Sequence, residues 1–281
     1  MDHDPLPSPL IFGPTNTLPV LLSIPHSGRD YPHWLVQMAR HGRPSLENLE
    51  DPLVDRLAWR AIAAGTGAVI ARTPRAALDC NRSESDVDPA VIEVAMPTKM
   101  SDRARGGLGI IPGRTIRDGR LWHRSISANE FEIRLDRAHR PYHRAIATAL
   151  DGLRDIHGCA LLLDCHSMPR QPGGQPEVII GDRYGRSASQ IISAAAERIA
   201  RSEGFSVQRN IPYAGGWIVE RHGAPKADIH ALQIELDRSA YLGADLRTPG
   251  PGFDRVSRLL ERLALELGNL LRSMDVAHAA E

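Results

Sequence analysis

Cysteine is scarce in this chain. Its 281 residues include three, Cys80, Cys159 and Cys165, and so small and odd a set builds no disulfide framework. A reducing compartment is therefore expected, and the cytoplasm is the default. An excess of charge is missing too, since 34 basic side chains face 34 acidic ones. Nucleic acid is not the expected partner, because binding phosphates takes a basic surplus. No apolar run approaches the roughly 20 residues of a membrane-spanning helix, so no membrane partner is expected either. The opening MDHDPLPSPL is acidic and proline-rich and lacks the basic and apolar regions of a signal peptide. Internal repeats and linker-like stretches are absent, so a single domain over 1–281 is expected.

What is present is enough apolar material for a core, at 42% hydrophobic residues, arranged as alternating strand and helix signals. After an irregular lead-in at 1–17, short apolar runs predict strands at 18–25, 67–73, 159–165, 176–182 and 229–236. Residues 77–82 read as a further strand or an extended turn. Helical signals cover 33–41, 51–65, 128–157, 187–204 and 253–274. In the second of these, Asp51 is placed as a cap and Pro52 in the first turn. Pro141 should kink or break the third. The glycine- and arginine-rich stretch 83–127 reads as a long functional loop or lid with short hairpin pieces. The fold class that follows is α/β: a mixed, largely parallel sheet with helices on both faces.

Polar clusters stand where the strands stop. LPVLLSIPHSG (18–28) ends on His26-Ser27-Gly28, CALLLDCHSMP (159–169) on Asp164-Cys165-His166-Ser167, and QIELDRS carries Glu235. Sites in open α/β sheets gather at the carboxyl ends of strands. Two imidazoles and a carboxylate are a common ligand set for catalytic zinc, with one position left open. His26 and His166 offer the imidazoles, the Glu50-Asp51 pair at the start of the first helix offers a carboxylate, and Glu235 could stand outside the set as a base. The arrangement requires the imidazoles of His26 and His166 to come within about 5 Å, given metal–ligand bonds of about 2.0–2.1 Å. Asp164 either orients His166 or finishes the strand end.

The rivals are weaker. Ser27 and Ser167 each neighbour a histidine, but neither lies in G-x-S-x-G. Neighbouring residues of an extended segment point to opposite faces, which separates Ser167 from His166. Cys165 reads as a packing residue. His143, on a helix face, and His230, in the last strand, read as core histidines satisfied by backbone.

Several stretches together carry a resemblance: IPHSGRDYP (24–32), the Asp51 segment, LDCNR (78–82), RPYHRAI (140–146), LLLDCHS (161–167), GGWIVERHG (215–223) and IHALQIELDRSAYL (229–242). In this order they are similar to the N-formylglutamate amidohydrolases. The resemblance implies a zinc hydrolase of small N-formyl amino acids, with a fold related to the zinc carboxypeptidases and aspartoacylases (phosphorylase/hydrolase-like). It implies His26, Asp51 and His166 on Zn2+, with Glu50 as an alternative carboxylate, and Glu235 as general base. Asn81 and Arg82 would grip the substrate's α-carboxylate. Arg114, Arg120 and Arg221 are candidates for its second carboxylate, and Asp164 and Ser27 would stand behind the ligands. Histidine breakdown is the implied setting. A longer-chain N-acyl amino acid deacylase, a carboxypeptidase-like peptidase and an inactive carboxylate-binding protein are the alternatives.

Overall fold

The computed structural model describes residues 5–94, 100–170, 173 and 176–278, the last four by backbone alone. Residues 1–4 of the expected lead-in and 95–99 of the expected loop lie outside these. The strands in chain order are β1 (Leu10–Phe12), β2 (Val20–Ile24), β3 (Gly67–Ile70), β4 (Ile92–Glu93), β5 (Arg114–Thr115), β6 (Gly119–Arg120), β7 (Ile126–Ser127), β8 (Ala160–Met168), β9 (Val178–Gly181), β10 (Val207–Arg209) and β11 (Ile229–Asp237). The helices are α1 (His33–Met38), α2 (Gly42–Glu47), α3 (Val54–Leu57), α4 (Trp59–Ala63), α5 (Asp102–Arg105), α6 (Ala128–Arg134), α7 (Arg140–His157), α8 (Gln190–Ser202), α9 (Trp217–His222) and α10 (Phe253–His278).

The chain divides into two compact units. One comprises Met1–Leu10, Pro25–Glu50 and Ile70–Arg144, the other Ile11–Ile24, Asp51–Val69 and Ala145–Glu281.

The second unit is built on a seven-stranded sheet in the order β1-β3-β2-β8-β11-β9-β10. β2, β8 and β11 run parallel, β9 is antiparallel to β11, and β10 is parallel to β9. The sheet is thus mixed and mostly parallel, as the alternation of strands and helices predicts. All nine residues of β8 and all nine of β11 are buried. Strands covered on both faces need continuous apolar runs rather than alternation, and ALLL and IHALQI supply them. Burying each Leu or Ile side chain contributes about 1.5–3 kcal/mol. α10 presents Leu259, Leu260, Leu263, Leu267 and Leu271 as a buried stripe, packing on α4, α8, β2 and β8, while α9 packs on β8 and β11.

The first unit has its own core, centred on Leu35, Leu46, Leu78, Ile92, Ile110, Ile111 and Ile126. Much of 83–127 is therefore packed structure, with α5, a parallel β4–β7 pair and an antiparallel β5–β6 pair. Residues 77–82 form no strand. The chain turns there, with Ala77 N–H bonded to Pro74 C=O and Arg82 N–H to Asp79 C=O.

Three further expectations are modified. β8 continues past Asp164 to Met168, so His166 lies inside a strand rather than after one. The helix expected over 51–65 starts only at Val54: Leu53 is left-handed (φ 61°) and no side chain caps α3. A non-glycine residue in that region costs about 1–2 kcal/mol, and the local rule of Asp before Pro as a cap gives way to tertiary contacts of Asp51. The helix expected over 128–157 is interrupted by a π turn, Leu135–His139, just before Pro141. Proline has no N–H for the carbonyl four residues back, and the wider turn absorbs the break.

Candidate metal centre

β8 and β11 position the sheet unit's polar cluster. Glu235 lies in register with His166, and Gln233 with Asp164, so these four side chains share one face at successive levels. Ser23 of β2 is in register with Asp164, and its hydroxyl donates to Asp164 Oδ1 at 2.7 Å. His166 Nε2 meets Asp164 Oδ2 at 2.9 Å, and its Nδ1 meets Asp51 Oδ2 at 3.2 Å. Asp51 Oδ1 accepts from Arg238 Nη2 at 3.2 Å, and Arg238 Nε donates to Ser167 Oγ. Burial by itself would push the His166 ring toward its neutral form. The charge and hydrogen bond of Asp164, the hydrogen bond of Asp51 and the charge of Glu235 outweigh it and hold the pKa well above the ordinary value. Negative charge dense enough to retain a proton on a buried ring also attracts a metal cation.

Glu235 is 8% exposed. Gln233 Oε1 accepts from the Gly216 N–H at 2.7 Å, and its Nε2 donates to Glu235 Oε1 at 2.8 Å. The backbone N–H can only donate, so the Gln233 amide is oriented and the carboxylate is held with it.

In the other unit, His26 Nε2 meets Asp79 Oδ1 at 2.7 Å. Arg75 Nε donates to Asp79 Oδ2 at 2.9 Å, and the Asn81 N–H donates to Oδ1 at 2.8 Å. Burial would raise the Asp79 carboxyl, but the charges of Arg75, His26 and Arg82 hold it well below the carboxylate range. Gly28, just past His26, is required by close approach: a Cβ there would lie 2.2 Å from the Thr73 carbonyl oxygen. Ser27 between them is buried. Arg82 is buried, and its Nε and Nη1 donate to the carbonyls of Leu108 and Asn81.

His26 of one unit and Asp51 and His166 of the other are buried side chains of the types that hold a metal ion. Two ligands bonded at about 2.0–2.1 Å around a tetrahedral ion stand about 3.3 Å apart, and the 3.2 Å between Asp51 and His166 fits that spacing. Each imidazole has its Nε2 against an acid, Asp79 or Asp164, which orients the ring to present Nδ1. Donor set and spacing suit a divalent ion. Glu50, the alternative carboxylate, receives the Tyr31 hydroxyl at 2.5 Å and is not in this group.

The remaining candidates are placed as follows. Arg114 is exposed and donates to the carbonyls of Arg105 and Gly106. Arg120 is exposed opposite it in the β5–β6 pair, and Arg221 is exposed on α9. Cys165 is buried, and burial together with Asp164 pushes its thiol far up, away from a reactive thiolate. His143 donates to the Cys80 carbonyl, and His230 accepts from the Ser189 N–H. The sequence reading missed Asp79 and Arg238. Asp79 was visible inside LDCNR, and Arg238 inside ELDRS, yet neither spacing indicates which distant side chain it meets.

The comparisons with known proteins define first a class, a hydrolase acting on an amide. Proteins named N-formylglutamate deformylase from Pseudomonas aeruginosa and Pseudomonas putida are each 30% identical, over 80% of this chain and 82% of their own length. Residues 18–242 match the N-formylglutamate amidohydrolase family, and the chain belongs to that family. The crystal structure of N-formylglutamate amidohydrolase from Ralstonia eutropha JMP134 superposes with a TM-score of 0.86 at 30% identity, covering 95% of this chain and 99% of that one. A gene product of Agrobacterium tumefaciens shares the fold at 15% identity (TM-score 0.60) over 97% of this chain and 95% of its own. Among the described residues, no helix is long and apolar enough to cross a membrane.

Proposed function

We propose that this protein hydrolyses N-formyl-L-glutamate, a small-molecule substrate, to formate and L-glutamate, using a divalent metal, zinc by the donor set. The observation that carries the reading is the buried donor set of His26, Asp51 and His166 in a chain of this family. Bound there, the ion supplies Lewis-acid stabilisation of developing negative charge, worth several kcal/mol, and makes water acidic near neutral pH.

The rest is done by the chain's own side chains. Glu235, level with His166 and steadied by Gln233, takes a proton from the attacking water and delivers it to the leaving amine nitrogen. Asp79 and Asp164 keep the two imidazoles in the ligating tautomer. Arg238 holds Asp51. Arg82 receives the substrate's α-carboxylate, because a guanidinium fork matches a carboxylate, and Asn81 orients it. The second carboxylate of glutamate needs another cation. Arg221 is our choice, because it sits on α9, which packs on β8 and β11. Three buried free thiols fit a reducing compartment such as the cytoplasm, and a role in histidine breakdown suits the product.

Metal analysis of purified protein, with kcat/KM for formyl, acetyl and peptide substrates, tests the reading. About one metal per chain, chelator sensitivity and a preference for the formyl substrate are expected. Full activity without metal would end the metal reading. Preference for an acetyl amino acid or a dipeptide would replace the substrate.

A further inference from the structure

The residues 77–82, which carry Asn81 and Arg82, have no strand partner to fix their backbone. Besides a main-chain bond from the Asp79 N–H to the Ile110 carbonyl, the carbonyls of Ala77, Cys80 and Arg82 are held by side chains from one helical stretch. Arg134 Nη1 donates to the Ala77 carbonyl at 3.1 Å, His143 Nε2 to the Cys80 carbonyl at 2.9 Å, and His139 Nε2 to the Arg82 carbonyl at 2.8 Å. A carbonyl only accepts, so both imidazoles carry their proton on Nε2. His139 and His143 are buried, with ring centroids 4.4 Å apart.

The π turn makes this possible. Arg134 and His139 are five residues apart, and at 3.6 residues per turn they would diverge by about 140° around an uninterrupted α-helix. The turn over Leu135–His139 takes up the additional residue and returns His139 to the face of Arg134. One regular turn further, His143 joins them. The N-terminus of α6 is itself fixed by a capping box between Ser127 and Glu130.

We propose that His139 and His143 are positioning residues for substrate-carboxylate recognition: by gripping the carbonyls on either side of Asn81, they set the direction of the Asn81 and Arg82 side chains. This rests on the reading above that those two bind the carboxylate. The π turn is the device that brings the two rings to the same segment.

The test compares His139→Leu and His143→Leu with His139→Gln and His143→Gln, because a glutamine amide reaches the same carbonyl from the position of Nε2. With metal content unchanged, the leucine variants should raise KM for N-formyl-L-glutamate about tenfold or more, the scale of losing a buried hydrogen bond, with kcat within about threefold. The glutamine variants should return KM to within about threefold of the parent. Unchanged KM in the leucine variants, a fall in kcat alone, or no rescue by glutamine would overturn the inference. If the leucine variants do not fold, asparagine, one bond too short to reach, takes their place in the comparison. Arg82→Lys separates the two readings. If it raises KM while the histidine variants do not, only the positioning role fails. If it leaves KM unchanged, the carboxylate role of Arg82 fails and takes this inference with it.

Discussion

β8 and residues 77–82 both present polar side chains, but they are held by opposite means. In β8, hydrogen-bonded ladders to β2 and β11 fix the backbone, and strand periodicity alone puts Asp164 and His166 on one face. In 77–82 no ladder exists. Arg134, His139 and His143 hold the carbonyls, and Asp79 takes the Asn81 N–H. A strand tolerates replacement of its side chains because its shape lives in the main chain. A turn held by side chains depends on each of them. Asn81 and Arg82, proposed to bind the substrate, are therefore tied to distant positions with no catalytic chemistry of their own.

Five substitutions probe that contrast. Asp51→Ala should have the largest effect, because it removes one of the three proposed metal ligands and leaves Arg238 facing a buried ring; stoichiometric metal should be lost, as elemental analysis would reveal. Glu235→Gln should lower kcat at least about a hundredfold with metal content intact, the scale of a missing general base; a small change would favour a carboxylate-binding protein over an enzyme. Asp164→Asn and Asp79→Asn should each weaken metal affinity about 10–100-fold, measured by competition with a chelator. The strand-held acid should leave KM unaltered, whereas Asp79→Asn should raise KM as well, because Asp79 also anchors Asn81. Equal KM for the two variants would erase the distinction between the segments. Ser23→Ala should be smallest, removing one hydrogen bond from the buried Asp164 carboxylate at a cost of about 1–3 kcal/mol, visible as a lower denaturation midpoint with little change in kcat.

Much of this was legible in the sequence where a local pattern suffices. The central strands were apparent from apolar runs, the long helices from their periodicity, and His26, His166 and Glu235 from polar residues interrupting those runs. Asp51 was legible by residue type but not by role, since Asp-Pro reads locally as a helix cap and the structure turns its carboxylate to His166. Region 83–127 looked like a lid because it is rich in glycine and arginine; its buried Val87, Val91, Ile92, Ile110 and Ile111 are too irregularly spaced to signal a core. The π turn was visible only as the expectation of a break at Pro141.

The order and type of the residues were enough to establish that an α/β chain carries histidines and acids at the carboxyl ends of its strands, because side-chain alternation and apolar burial act over a few neighbouring positions. Which acid backs which imidazole, why Leu53 is left-handed beside Asp51, and how two histidines of a π turn come to hold the carbonyls around Asn81 were decided by folding. The contacts of Asp79 with His26, of Asp51 with His166, and of His139 and His143 with the carbonyls of Arg82 and Cys80 join residues more than fifty positions apart, and a hydrogen bond between such partners leaves no period in the sequence.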